Sequence, residues 1–250
     1  MKSSTHYNAD ASAAILAVGE PKSGKTNLMF AFPSPWIADL DLNLASATRR
    51  LPDKTFKFSQ FNTDDAGKEV PEHLRWTRLV NETLAAIKDP EVKTICIDGL
   101  GVAATFLCDH CVYEGKRAGS NKTGKMELQT YGDLARLLRS YVMTLRASGK
   151  IVFVTSHQTG DKDEVTKAIR YCLAIPGQSK DTLGGLFTDV WATTAKPAPQ
   201  NKVKYEIRTK PTGFHVALGT SFPLDAAIDV TDKNPEQIWS ILQPKLKLEV

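Results

Sequence analysis

Apolar and polar positions fall into two rhythms along the chain. Continuous apolar runs mark strands buried on both faces: Ala13 to Val18, Trp36-Ile37-Ala38-Asp39-Leu40-Asp41, Val92 to Asp98, and Ile151-Val152-Phe153-Val154-Thr155-Ser156. Between them the spacing becomes helical. Leu74, Leu79, Leu84 and Ile87 recur at helical intervals between Pro71 and Lys88. Leu134, Leu137, Leu138, Tyr141, Val142 and Leu145 form one apolar face of Leu128 to Ala147. Strands alternating with helices predict right-handed crossovers and an α/β fold, a mostly parallel sheet flanked by helices. The last third changes character. Asp189 to Thr194, Lys202 to Thr209 and Phe214 to Leu218 read as short strands separated by Pro197 to Asn201 and Pro211-Thr212-Gly213, so antiparallel strands are expected near the C-terminus, at one sheet edge. A helix from about Pro235 to Leu242 packs back on the body.

The first apolar run leads into Gly19-Glu20-Pro21-Lys22-Ser23-Gly24-Lys25-Thr26, a full G-x-x-x-x-G-K-T phosphate loop. The glycines let successive backbone N–H groups turn around phosphates, Lys25 reaches the terminal phosphates, and the Thr26 hydroxyl is a ligand for Mg²⁺. Asn27 to Phe32 start a helix whose N-terminal dipole favours anions, so Gly19 through Asn27 form the expected nucleotide-binding segment.

Two further strands end in acids, the mark of a ligand edge on a parallel sheet. Asp98 closes its strand and is placed to order Mg²⁺ with Thr26. Of Asp39 and Asp41, Asp41 lies at the predicted strand terminus and suits orienting or deprotonating a water. Thr155-Ser156-His157-Gln158 ends the next strand beside the expected γ-phosphate position.

Composition adds limits. With 250 residues, 42% hydrophobic and 24% charged, the chain suits one domain over 1–250, with 1–12 as a polar flexible segment. The first apolar run is too short for a signal core or a membrane span, so a cytoplasmic protein with no membrane partner is expected. Cys96, Cys108, Cys111 and Cys172 suggest no disulfide framework. Cys108-Asp109-His110-Cys111 resembles half a zinc site, but with only Cys172 left to complete it, an ordinary helix with small buried thiols is expected. The net charge of +4 permits nucleic-acid binding without demanding it. The charge is better placed than its total suggests: Glu114 to Lys125 carries Lys116, Arg117, Lys122 and Lys125 with three glycines, which suits backbone contacts to single-stranded nucleic acid. The connection from Thr159 to Gly185 is long enough to be functional or disordered.

The order of elements resembles the RecA-like ATPase core, a P-loop NTPase fold. More narrowly it resembles the short phage-encoded RecA-like recombination ATPases of the single-strand-annealing type. The likeness spans about residues 12 to 245 and is carried by the phosphate loop, Ile37 to Asp41 where the family has Asp-x-Glu, Ile95 to Asp98, Thr155-Ser156-His157 in the place of a polar sensor, Pro176 to Trp191, and Ile207 to Gly213. It implies ATP and Mg²⁺ as cofactors and Lys25, Asp41, Asp98 and His157 as catalytic residues, with Asp41 the catalytic carboxylate and His157 the γ-phosphate sensor. It also implies DNA loops at 114–125 and 159–185, and Arg208 and Lys210 directed at a neighbouring subunit's nucleotide. The partners implied are single-stranded DNA, further copies of the chain in a ring or filament, and a single-stranded-DNA-binding protein, all in the host cytoplasm. The activity implied is DNA-stimulated ATP hydrolysis that promotes strand annealing or exchange in phage recombination. A ring helicase or DNA-translocating motor on the same core and a nucleotide-gated, non-hydrolysing adaptor are the rivals. Two departures stand out: Asp41 is one methylene shorter than the family's Glu, and no aromatic polymerisation segment precedes residue 12.

Overall fold

A computed structural model describes residues 13–51, 53–162, 169–215, 217–246 and 248. In chain order the first half holds β1 (Ala14–Gly19), α1 (Lys25–Met29), β2 (Pro35–Asp39), α2 (Leu44–Thr48), β3 (Lys57–Gln60), α3 (Glu72–Lys88), β4 (Thr94–Asp98) and α4 (Leu100–Arg117). The second half holds α5 (Leu128–Arg146), β5 (Ile151–Ser156), β6 (Gln158–Lys162), β7 (Ile169–Leu173), α6 (Ser179–Thr182), β8 (Asp189–Ala198), β9 (Lys202–Arg208), β10 (Ala227–Asp229) and α7 (Pro235–Leu246).

Eight strands form one sheet in the order β10-β9-β8-β1-β5-β4-β2-β3. The six from β8 to β3 are mutually parallel, while β9 and β10 are added antiparallel at one edge. This is the α/β arrangement expected, a mostly parallel sheet flanked by helices with antiparallel strands at one edge. Side chains alternate between the two faces along each strand. Ile15, Ala17, Phe153 and Trp191 point to the face covered by α1 and α7, where Leu28, Ile238 and Leu242 meet them. Leu16, Val18, Ile97 and Val154 point to the other, under Leu79, Leu107, Leu138 and Val142 of α3, α4 and α5. With β1, β4 and β5 buried along their whole lengths, register is fixed on both faces and the strand ends are held in line.

Several elements differ from the sequence expectation. The expected strand at Phe214 to Leu218 is not regular: His215 makes one isolated bridge to Tyr171, and Ala217 has φ 64°, which breaks an extended run. Strand β8, expected among the antiparallel additions, instead runs parallel to β1, and the antiparallel edge is β9 with β10. Where the connection from Thr159 to Gly185 is described it is largely structured, with β6 and β7 paired antiparallel as a separate two-stranded sheet; residues 163–168 lie outside the described residues. Also outside them is the expected flexible segment, residues 1–12. Strand β2 stops at Asp39 rather than Asp41. Helix α1 is only five residues long, and α3 buries Trp76, Leu79, Thr83 and Ala86 while Leu74 and Leu84 stay exposed.

Candidate nucleotide site

The parallel strands β1, β4 and β5 end side by side, and the loop after β1 closes over them. A Cβ at Gly19 would come 2.5 Å from the Thr193 carbonyl oxygen, so only glycine lets the loop leave β1 so close to β8. Ser23 Oγ and Thr193 Oγ1, 2.7 Å apart, tie the loop to β8 a second time. Left-handed φ values at Lys22 (64°) and Gly24 (94°) curl the backbone between them. Glu20, Pro21 and Lys22 face solvent, Ser23 and Lys25 are buried, and Thr26 and Asn27 are half-buried on the first turn of α1. Lys25 Nζ donates to the carbonyls of Gly19 at 2.9 Å and Glu20 at 2.8 Å. Burial pushes its ammonium down to about 8, against the opposing pull of Asp98, Asp41 and Glu20.

Asp98 ends β4 and is 2% exposed. Thr26 Oγ1 donates to one of its oxygens at 3.1 Å and Thr155 Oγ1 to the other at 2.7 Å. Thr155 Oγ1 in turn accepts the Gly99 N–H at 2.9 Å. Cross-strand register explains the meeting, because Asp98 is paired with Thr155 and Thr155 with Ala17 on adjacent strands. Burial raises the Asp98 carboxyl to about 6, the two hydroxyls acting against it and Asp41 with it. A hydroxyl and a carboxylate side by side are the hard oxygen donors that Mg²⁺ takes, so Thr26 and Asp98 fit the metal expected of this class.

The two acids after β2 have different work. Asp39 is buried and its carboxylate accepts from Asn43 N at 3.0 Å and Gln60 Nε2 at 2.9 Å, both structural contacts. Asp41, past the strand end, turns toward the site. Its Oδ2 lies 3.8 Å from His157 Nε2, and His157 Nδ1 lies 3.4 Å from Lys25 Nζ. Burial raises the Asp41 carboxyl, with His157 and Lys25 opposing. Lys25, His157 and Asp41 therefore form one chain beside the Thr26–Asp98 pair, so the four residues expected to be catalytic converge. Thr155, expected beside the γ-phosphate position, donates to Asp98, while Thr193 and Gly99 complete the site and carry no local signal in the sequence.

The other expected site residues lie apart from this cluster. Lys116 and Arg117 sit on the last turn of α4, not in a loop, and Arg117 pairs with Glu114. The rest of the basic segment is folded around buried Asn121, which donates to the Lys125 carbonyl at 2.7 Å and accepts the Gly124 N–H at 2.8 Å. Arg208 ends β9 with a guanidinium nitrogen 3.8 Å from Glu206, and Lys210 lies beyond the strand, so the two do not share the face of one regular strand. Cys108, His110 and Cys111 ride on α4, with His110 Nδ1 3.3 Å from the His73 carbonyl, and among the described residues no group of three or more His, Cys, Asp or Glu is placed to hold a metal.

No described helix is long and apolar enough to cross a membrane. Among solved structures the chain is similar to a KaiC-like protein from Pyrococcus horikoshii OT3, with 11% identity over 87% of this chain and 88% of that chain and a TM-score of 0.43. No curated protein matches. A family model described as an AAA domain matches residues 11–217. That span carries the phosphate loop, Asp41, Asp98 and His157, and the chain belongs to this AAA domain family of P-loop ATPases.

Proposed function

We propose that the protein hydrolyses ATP with Mg²⁺, binds single-stranded DNA, and uses the nucleotide cycle to promote strand annealing or exchange in phage DNA recombination. The observation that carries hydrolysis is the chain from Lys25 through His157 to Asp41 beside the Thr26–Asp98 pair. Lys25 offsets charge on the terminal phosphates, and removing such a group costs on the order of 10²–10³ in rate. Asp41 accepts the proton of the attacking water, and its short side chain is compensated by a backbone that brings it against Gly99. His157 holds Asp41 in place and contacts Lys25. Thr26 and Asp98 would hold the Mg²⁺, which would supply positive charge to the phosphates during hydrolysis.

DNA binding is supported by two segments that touch. A Cβ on Gly177, after β7, would come 3.2 Å from the Tyr131 ring of α5, and one on Gly101 of α4 would come 2.9 Å from the Ala174 carbonyl. Tyr131 and Leu128, exposed at 39% and 91%, lie at the start of α5, directly after the chain segment that carries Lys116, Arg117, Lys122 and Lys125. Flat apolar surface interleaved with cations suits stacked bases and their phosphates. Phosphate release with and without single-stranded DNA is the test. Stimulation by DNA without duplex unwinding is expected; unwinding would favour a motor, and no release under either condition a nucleotide-gated adaptor.

A further inference from the structure

The phosphate loop has two unlike flanks. Toward β5 and β4 lie Asp98, Thr155, His157 and Asp41, so the terminal phosphates and the metal belong there. The nucleoside must then leave on the other flank, toward β8 and β9. There β1 makes its last pair, Gly19 with Thr193, while β8 continues to Ala198 with β9 beside it. The hairpin thus rises past the phosphate loop as a wall. Tyr205 stands on that wall, opposite Ala195. It has the parity of Ile207, which packs with Leu28 and Met29, so its side chain emerges on the α1 face just beyond the buried core. Its ring Cδ1 lies 3.7 Å from where a Cβ on Gly24 would be, and the ring remains half-exposed. The backbone beneath is fixed: Tyr205 N donates to Thr231 Oγ1 at 2.9 Å and its carbonyl accepts from Val230 N at 3.0 Å.

We propose that Tyr205 is the platform on which the base of the bound nucleoside triphosphate stacks, which rests on the nucleotide reading of the loop. A flat ring on a rigid strand loses little freedom on binding, and its contact is tolerant of which base it meets. The site therefore takes nucleoside triphosphates generally, with the larger purines held more tightly than pyrimidines.

The test is calorimetric titration of the full chain with Mg²⁺–ATP and, separately, with Mg²⁺–tripolyphosphate, which has the phosphates and no base. The wild type binds ATP more tightly than tripolyphosphate. Tyr205→Ala weakens ATP about tenfold, the loss expected for one stacked base, and leaves tripolyphosphate unchanged. Tyr205→Phe keeps wild-type affinity for both. Unchanged ATP affinity in Tyr205→Ala, an equal loss for both ligands, or a loss in Tyr205→Phe as large as in Tyr205→Ala each overturns the stacking role while leaving the phosphate loop as the site. A wild type that binds neither ligand overturns the nucleotide reading itself, and the base platform with it.

Discussion

The carboxylate of Asp41 fills the space that a side chain on Gly99 would take: a Cβ there would lie 2.7 Å from Asp41 Oδ1. Gly99 also has φ 109°, which a side chain disfavours. Gly99→Ala should therefore displace Asp41 without touching the phosphate loop. We expect kcat to fall by about two orders of magnitude, a typical cost of misplacing a catalytic group by about 1 Å, while ATP affinity changes little. Turnover and equilibrium binding measured on the same preparation check this. Parallel losses in both would place Asp41 in binding rather than in hydrolysis.

Lys25 gives a prediction with a pH sign. Its folded pKa, about 8, lies below the ordinary 10.5, so the empty site penalises the charged ammonium, fully below pH 8 and less as pH rises toward 10.5. Bound phosphates restore the charged form. Nucleotide binding near pH 8 to 9 should take up a proton and weaken as pH rises, which calorimetry in buffers of different ionisation enthalpy measures. Lys25→Ala should abolish hydrolysis and melt no lower than the wild type.

Asp98 runs the other way from the usual carboxylate. Its folded pKa, about 6, stands above 3.8, so the native state holds the proton more tightly and the metal-free protein loses stability as pH rises from about 4 to 6. The loss is on the order of 2–3 kcal/mol. Asp98→Asn removes the titration and should flatten the dependence of melting temperature on pH over that range. It should also abolish Mg²⁺-dependent hydrolysis. A wild-type melting curve flat from pH 4 to 6 would contradict the burial account.

The basic segment predicts a salt effect. Replacing Lys116, Arg117, Lys122 and Lys125 with Ala should weaken single-stranded DNA binding alike for all sequences. It should also reduce the slope of log affinity against log salt by up to about 3, at roughly 0.7 for each phosphate that is no longer neutralised. Basal ATPase should persist. Asn121→Ala, which unties the turn carrying Lys122 and Lys125, should weaken binding while leaving all four charges in place.

Arg208 and Lys210 are expected to act on a neighbour's γ-phosphate, as an arginine finger does in trans. Hydrolysis should then rise more steeply than linearly with protein concentration. Mixing Arg208→Ala/Lys210→Ala protein with Lys25→Ala protein should restore part of the activity. Linear dependence and no recovery, in a protein that oligomerises, would leave the pair as surface charge.

The parts of this fold that were legible in sequence share one property: the local pattern and the tertiary environment agree. The phosphate loop follows a fully buried strand, and the β4 run is apolar up to its terminal acid. Illegible elements had no such agreement. Strand β3, Lys57-Phe58-Ser59-Gln60, is a mostly exposed edge strand of four residues, stabilised by its partner more than by burial. The β6–β7 hairpin starts with Gln158-Thr159-Gly160-Asp161-Lys162, a polar run held by its ladder and by the distant partners His215, 3.0 Å from Gln158, and Lys180, 2.6 Å from Asp161. The role of Thr155 depends on β5 lying between β1 and β4, a neighbour relation that no local spacing encodes. The hairpin turn was readable for the opposite reason, since Gln200 and Asn201 at φ 61° and 57° lie within the expected turn, Pro197 to Asn201.

Strand β5 ends at Ser156 and strand β6 begins at Gln158, so His157 is the one residue between the middle of the sheet and the hairpin outside it. Its carbonyl is also gripped from the far side by the Ala174 N–H at 3.0 Å. In mechanical terms His157 is a fulcrum, with the rigid sheet as the short arm and the hairpin as the long one. From Gln158 to Lys162 the long arm reaches about 15 Å at the usual rise per residue, so a rotation of about 10° at the fulcrum carries its end through about 3 Å. Any movement of that size at the hairpin would therefore be felt by the side chain that lies against Lys25 and Asp41.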